Sequence, residues 1–267
     1  MANEDEGFLN GEAGEGTDHI SANDLSRSFL KIAQSTTPEV AEGKIEGIKA
    51  GDFFSPLAQE TFGKCIDVVV LKYEHVYDVW QKNRGGLVSI VPFDAVASGA
   101  YKTYPTSDRK LIDEAGNDVI ESYNFYILLV GHEALGPLIL SFQSTGLRHA
   151  RNWLTKISAL RTPNGKAQAA IFQGVWRIET VLNKNDKGAW FQIGDKSTTT
   201  VDLVNNICGK FTKADGTVID GQWDVPFVKD TVMPVYQMCK DMSSTQALAA
   251  PEAQRALPSS GHMDPSI

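Results

Sequence analysis

Cysteine is scarce and scattered. Cys65, Cys208 and Cys239 stand far apart, with no Cys-x-x-Cys and no Cys/His pair at ligand spacing, which argues against a disulfide framework and against a structural zinc site. The three thiols read as structural. No run of about 18 uncharged apolar residues is present. The opening stretch MANEDEGFLNGEAGEGTDHIS is acidic, where a secretory signal would be basic and then apolar. The expectation is a soluble, cytoplasmic protein with no membrane contact. Catalytic signatures are missing too: there is no G-x-x-x-x-G-K-[ST], no G-x-S-x-G and no H-E-x-x-H, and the glycine-rich GEAGEG lies in the acidic stretch rather than between a strand and a helix. His19, His75, His132, His149 and His262 are dispersed along the chain. No catalytic residue, metal ligand or cofactor is assigned on these grounds.

One further absence organises the charge. Between Glu133 and Glu179 there is no acidic residue, while Arg148, Arg151, Lys156, Arg161, Lys166 and Arg177 fall in that interval. The net charge of −8 hides this segregation: residues 141–213 carry 11 basic and 4 acidic side chains, whereas residues 1–60 carry 4 basic and 12 acidic ones. A basic block between acidic flanks points to an anionic partner, or to an acidic arm that competes for the basic face.

What is present reads as a β-rich α+β chain. The 42% of hydrophobic residues over 267 positions suffices for a real core. Residues 1–22, rich in Gly, Glu and Asp, read as a disordered acidic arm, and residues 241–267 as a flexible tail. Residues 23–44 read as a short docking helix over 23–34 plus a linker. Within 45–240, CIDVVVLKYEHVYDVW (65–80) and GLVSIVPF (86–93) have the composition of a hairpin. The polar stretch 102–121 reads as an exposed insertion. Two further hairpins follow, 122–131 with 136–145 and 168–182 with 188–195. Apolar spacing gives one helix over 146–161, between those hairpins, and a second over about 198–213. Antiparallel pairs, a helix and another pair make the order of an OB-like five-stranded Greek-key barrel with an additional strand and helices, and a split α+β sandwich stays open. Single strands alternating with helices, as in a Rossmann fold, are not seen.

On the helix 146–161, Arg148, Arg151, Asn152, Thr155 and Lys156 fall opposite Leu147, Ala150, Trp153, Leu154 and Ile157. A one-signed strip of this kind suits phosphodiester backbone, which Arg and Lys neutralise without reading sequence. The aromatics Tyr123, Phe125, Trp176 and Trp190, with Arg177, Lys184 and Lys187 beside them, are the candidate stacking platform for a single strand. Arg161 and Lys166 extend the basic strip. Core packing is the competing fate of each aromatic.

The arrangement YNFYILLV…GPLILSFQSTGLRHARNWLTKI, after a Val-rich strand ending YEHVYDVW and a GG loop, resembles proteins of tailed bacteriophages grouped with single-stranded-DNA-binding proteins, over roughly residues 45–195. That resemblance implies an OB-type fold and non-catalytic, sequence-independent binding of single-stranded DNA in phage replication or recombination, in the host cytoplasm. HMDPSI at 262–267 resembles the acidic tip of bacterial single-strand-binding proteins, but with Asp264 alone and Ile267 in place of an aromatic. Acidic tails of this type imply docking to replication or recombination proteins. Two other readings remain. One is a virion or scaffold protein whose basic strip meets an acidic neighbour. The other is a metal-dependent nuclease using Asp113, Glu114, Asp118 and Glu121. Residues 1–24, with seven acidic and no basic side chains, are expected to act as a tethered competitor for the basic strip.

Overall fold

The computed structural model describes residues 28–82, 86–161, 167–186, 188–206, 210–212, 218–220 and 227–241. Chain order runs β1 (Phe29–Ile32), one helical turn α1 (Pro38–Ala41), β2 (Phe53–Ser55), β3 (Glu60–Gly63), the long β4 (Cys65–Trp80) and β5 (Leu87–Pro92). An insertion follows with α2 (Phe93–Ala97), β6 (Tyr104–Pro105) and β7 (Leu111–Ile112). Next come β8 (Asp118–Leu129), β9 (Pro137–Gln143), α3 (Leu147–Ala159), β10 (Gly174–Asn185), β11 (Gly188–Ile193) and β12 (Val201–Asn206). A small pair, β13 (Lys210–Thr212) with β14 (Val218–Asp220), precedes a π-helical turn (Phe227–Val232) that runs into α4 (Met233–Asp241).

Among the described residues twelve strands join in one curled mixed sheet, whose main path is β11-β10-β4-β8-β9-β1-β2-β3. The curl comes from β4. Its first five residues pair with β10, its last five with β5, and β8 follows it from Val68 to Trp80 with a bulge between Val70 and Lys72. A long strand of Val, Ile, Tyr and Trp twists strongly, and a bulge adds to the twist. The sheet therefore bends back until β11 meets the segment between β1 and β2. There the Gln34 side chain acts as a strand rung, its Nε2 donating to the Phe191 carbonyl at 2.9 Å and its Oε1 accepting from the Phe191 N–H at 2.8 Å. Thr180 Oγ donates to the Gly51 carbonyl at 2.5 Å beside it. A Cβ at Gly51 would lie 2.7 Å from the Phe191 ring, and its φ of +96° is one that glycine tolerates.

Both faces of the central strands are buried. Val68, Val70, Phe125, Ile127 and Leu140 point inward onto Trp153 and Ile157 of α3. Their alternates Val69, Leu71, Tyr126, Leu128 and Ile139 point outward and are covered by Val232, Val235 and Cys239. This explains the unbroken VVVL, since strand residues alternate in direction and here each direction is apolar. Burial pushes the Cys239 thiol up to about 11. Cys65 is exposed, and Cys208 lies outside the described residues.

Two expected helices are strands. Over 198–213 the chain forms β12 and β13, and β12 takes the free edge of β10 with Trp176 opposite Leu203. Spacing of Val201 and Val204 satisfies a helical period, but β-branched residues beside an open row of N–H and C=O groups favour pairing. Phe29–Ile32, placed in the helix 23–34, is a strand parallel to β9 and antiparallel to β2. The acidic arm 1–22, the start of that helix and the tail beyond Asp241 lie outside the described residues. No helix among the described residues is long and apolar enough to cross a membrane.

Candidate nucleic-acid interface

Helix α3 is amphipathic in the way its spacing dictates. His149, Ala150, Trp153 and Ile157 are its buried face. The Trp153 ring stacks on Phe125 at 4.6 Å and meets Trp176 edge-on at 6.3 Å. Arg148, Arg151 and Lys156 are left toward solvent, yet each has a partner in the chain. Arg148 donates to the backbone carbonyls of Asp195 and Lys196. Arg151 pairs with Glu121 at 2.9 Å and lies over the Tyr123 ring at 5.8 Å. Lys156 donates to the Val201 carbonyl and stands 3.6 Å from Asp202. Arg161 caps the end of the helix through the carbonyls of Ser158 and Leu160, at 2.6 and 3.2 Å. The strip that is one-signed in sequence is thus met in space by acidic and carbonyl oxygens from other segments.

Arg177 is not part of this face. It alternates along β10 with Trp176 and Ile178, which are in the core beneath α3, so it points from the opposite side of the strand. There it forms a two-pronged pair with Asp67, both contacts at 2.8 Å. Lys184 is exposed near the end of the β10–β11 hairpin, while Lys166 and Lys187 lie outside the described residues.

Three of the four aromatic candidates are buried. Phe125 is 0%, Trp176 1% and Tyr123 8% exposed. All three lie on the inner sheet face, where α3 closes over them, so their faces are spent on core packing and are not open to a base. Trp190 is half-buried, its Nε1 donating to Gln192 Oε1 at 3.2 Å.

An aromatic outside that set is open instead. Tyr73 is 46% exposed and touches Phe125 at 6.3 Å. It shares a face of β4 with His75 and Tyr77, a period-2 alternation already visible in KYEHVYDVW. The His75 ring is sandwiched between Tyr123 at 4.1 Å and Phe93 at 3.9 Å, and its Nε2 lies 3.0 Å from Glu121 Oε1. Arg151, Tyr123, His75 and Phe93 therefore form one stacked column from α3 across the sheet to the insertion. Tyr73 lies beside this column.

Three of the four carboxylates weighed for a metal, Asp113, Glu114 and Glu121, are committed elsewhere. Burial alone would raise the Asp113 carboxyl, but hydrogen bonds from Asn117, Tyr101 and Ala115 outweigh it and hold it below the usual range. Glu114 accepts from Tyr104 at 3.2 Å and faces Lys102 at 3.6 Å. Among the described residues no group of three His, Cys, Asp or Glu side chains could hold an ion.

His149 sits under the loop that follows β11. It is 1% exposed, its Nδ1 lies 2.9 Å from Thr199 Oγ and its Nε2 3.5 Å from Gln192, and a Cβ at Gly194 would fall 2.6 Å from its ring. Burial, and then the nearby Arg148 charge, lower its pKa, with Asp195 opposing. The unfolded chain takes up this proton near pH 6.5 and the folded protein only below that. Stability from neutral His149 is fully present above about pH 6.5 and is lost as pH falls from there toward the lowered folded value. In chemical denaturation, the stability margin of the wild type over His149→Gln is expected to shrink as pH falls from about 7 to about 5. A margin that is constant or grows on acidification would show that His149 is not held neutral.

A family model described as Pam3 phage gp34-like protein matches residues 5–207. No curated protein matches the chain, and no solved structure matches it. The match spans α3, the aromatic column and the sheet up to β12, and it is to a bacteriophage family. The chain belongs to the Pam3 phage gp34-like protein family.

Proposed function

We propose that this protein binds single-stranded DNA without catalysis and without sequence preference, through the surface formed by Tyr73, Arg151 and the outer face of α3, in the service of phage DNA replication or recombination. The observation that carries the reading is the exposed Tyr73 beside a column capped by the Arg151 guanidinium. An open aromatic on the same sheet face as a column that ends in a cation suits a stacked base whose backbone runs on toward that cation. The order β4-β8-β9-α3-β10-β11, with β4 paired to both β8 and β10, supports an OB-like reading of the barrel, since a Greek key of this type has its helix between the third and fourth strands. β1 would then be an added strand between β9 and β11, and Gln34 the rung that completes the closure.

The test is fluorescence polarisation of labelled oligo(dT) against duplex of equal length over a salt series. Binding of the single strand, weakening as salt rises, is the expected result, with Tyr73→Ala losing about 5- to 100-fold in affinity and little stability, because the side chain is nearly half exposed. Equal affinity for duplex and single strand, or an unchanged affinity in Tyr73→Ala, would overturn it. A second reading, a structural role in the virion, is favoured by the self-paired state of Arg148, Arg151 and Lys156. It requires that oligo(dT) not bind at low salt.

A further inference from the structure

We infer that Glu121 and Asp202 mask the basic face of α3 in the free protein, standing where backbone phosphates bind and setting the affinity for a polyanionic strand. This rests on the reading that the face binds single-stranded DNA. Neither carboxylate is near α3 in sequence. Glu121 comes from β8 and Asp202 from β12, yet the fold brings one to Arg151 at 2.9 Å and the other to Lys156 at 3.6 Å.

The pairs are built for exchange. Arg151 keeps 57% of its side chain exposed against 26% for Glu121, and Lys156 keeps 41% against 80% for Asp202; ion pairs with a partner this open to water contribute about 0–1 kcal/mol. A backbone phosphodiester likewise offers two oxygens to a guanidinium and carries the same single negative charge as a carboxylate. Displacement of the carboxylate therefore costs little, while the column stays intact because His75 remains stacked between Tyr123 and Phe93. Glu121 released from Arg151 still has His75 Nε2 at 3.0 Å as a partner. Arg177 with Asp67 is the internal comparison. It is a closer, two-pronged pair on the other side of β10, away from α3.

The experiment is the same oligo(dT) titration with Glu121→Gln/Asp202→Asn and, separately, Asp67→Asn, each first checked for an unchanged thermal transition. The double variant is expected to bind about two- to tenfold tighter at low salt. Its log–log salt dependence is expected to steepen by up to about 0.7 per freed side chain, and the gain should fade as salt rises. Asp67→Asn is expected to bind like wild type. If wild type binds and the double variant binds equally or less tightly, the masking role fails while the function stands. If Asp67→Asn, which removes one negative charge where the double variant removes two, gives half or more of the double variant's logarithmic gain in affinity, net charge alone is responsible and the masking role fails again. If neither wild type nor the double variant binds, both readings fall.

Discussion

Replacing Trp153 by alanine is expected to cost about 3–5 kcal/mol of stability, a large part of the total available to a domain of this kind. Trp153 is fully buried and is the piece of α3 that enters the curl of the sheet, against Phe125, Phe142 and Trp176. No neighbouring side chain on α3 can fill the void, because Ala150 and Ile157 are one turn away on either side and already packed. Trp153→Phe should cost well under half as much. Its indole Nε1 has no hydrogen-bond partner among the described residues, so phenylalanine forfeits volume but no polar contact. Urea denaturation of both variants checks this. A loss below about 1 kcal/mol in Trp153→Ala would mean that α3 does not close the core.

Reversal of charge at Arg148, Arg151 and Lys156 to glutamate is expected to weaken oligo(dT) binding on the order of 100-fold at low salt, for all sequences alike. Three lost phosphate contacts should flatten the salt slope by about 2. Sequence alone leads to the expectation that stability is untouched, since the three residues point to solvent. The structure revises that expectation. Arg148 and Lys156 hold the backbone carbonyls of Asp195, Lys196 and Val201, so their loss should also cost about 1–3 kcal/mol. The affinity measurement is therefore made well below the variant's melting temperature, with the glutamine triple variant beside it. An unchanged affinity would remove α3 from the interface.

Hydrophobic pattern and composition sufficed for the longer strands and for one helix. Cys65–Trp80, Leu87–Pro92, the two later hairpins and α3 lie close to where β-propensity and helical spacing put them. Local pattern failed where an edge decided. Phe29–Ile32 and Val201–Asn206 have helical spacing, and each became a strand because a neighbouring strand left its backbone groups unpaired. The alternation of Tyr73, His75 and Tyr77 was legible in the sequence, but not which of the three stays in water. That depends on Phe93, which covers His75 and Tyr77 and leaves Tyr73 open.

By itself the sequence determined a β-rich chain and the separation of charge along its length, since both follow from residue type and spacing. Tertiary structure alone decided which aromatics are core, because Phe125 and Trp176 are buried by a helix from another part of the chain. It alone decided that the basic strip is not bare. Electrostatic partners are chosen by distance in space, and Glu121 and Asp202, thirty and forty-six residues from the cations they meet, come close only when the sheet has curled.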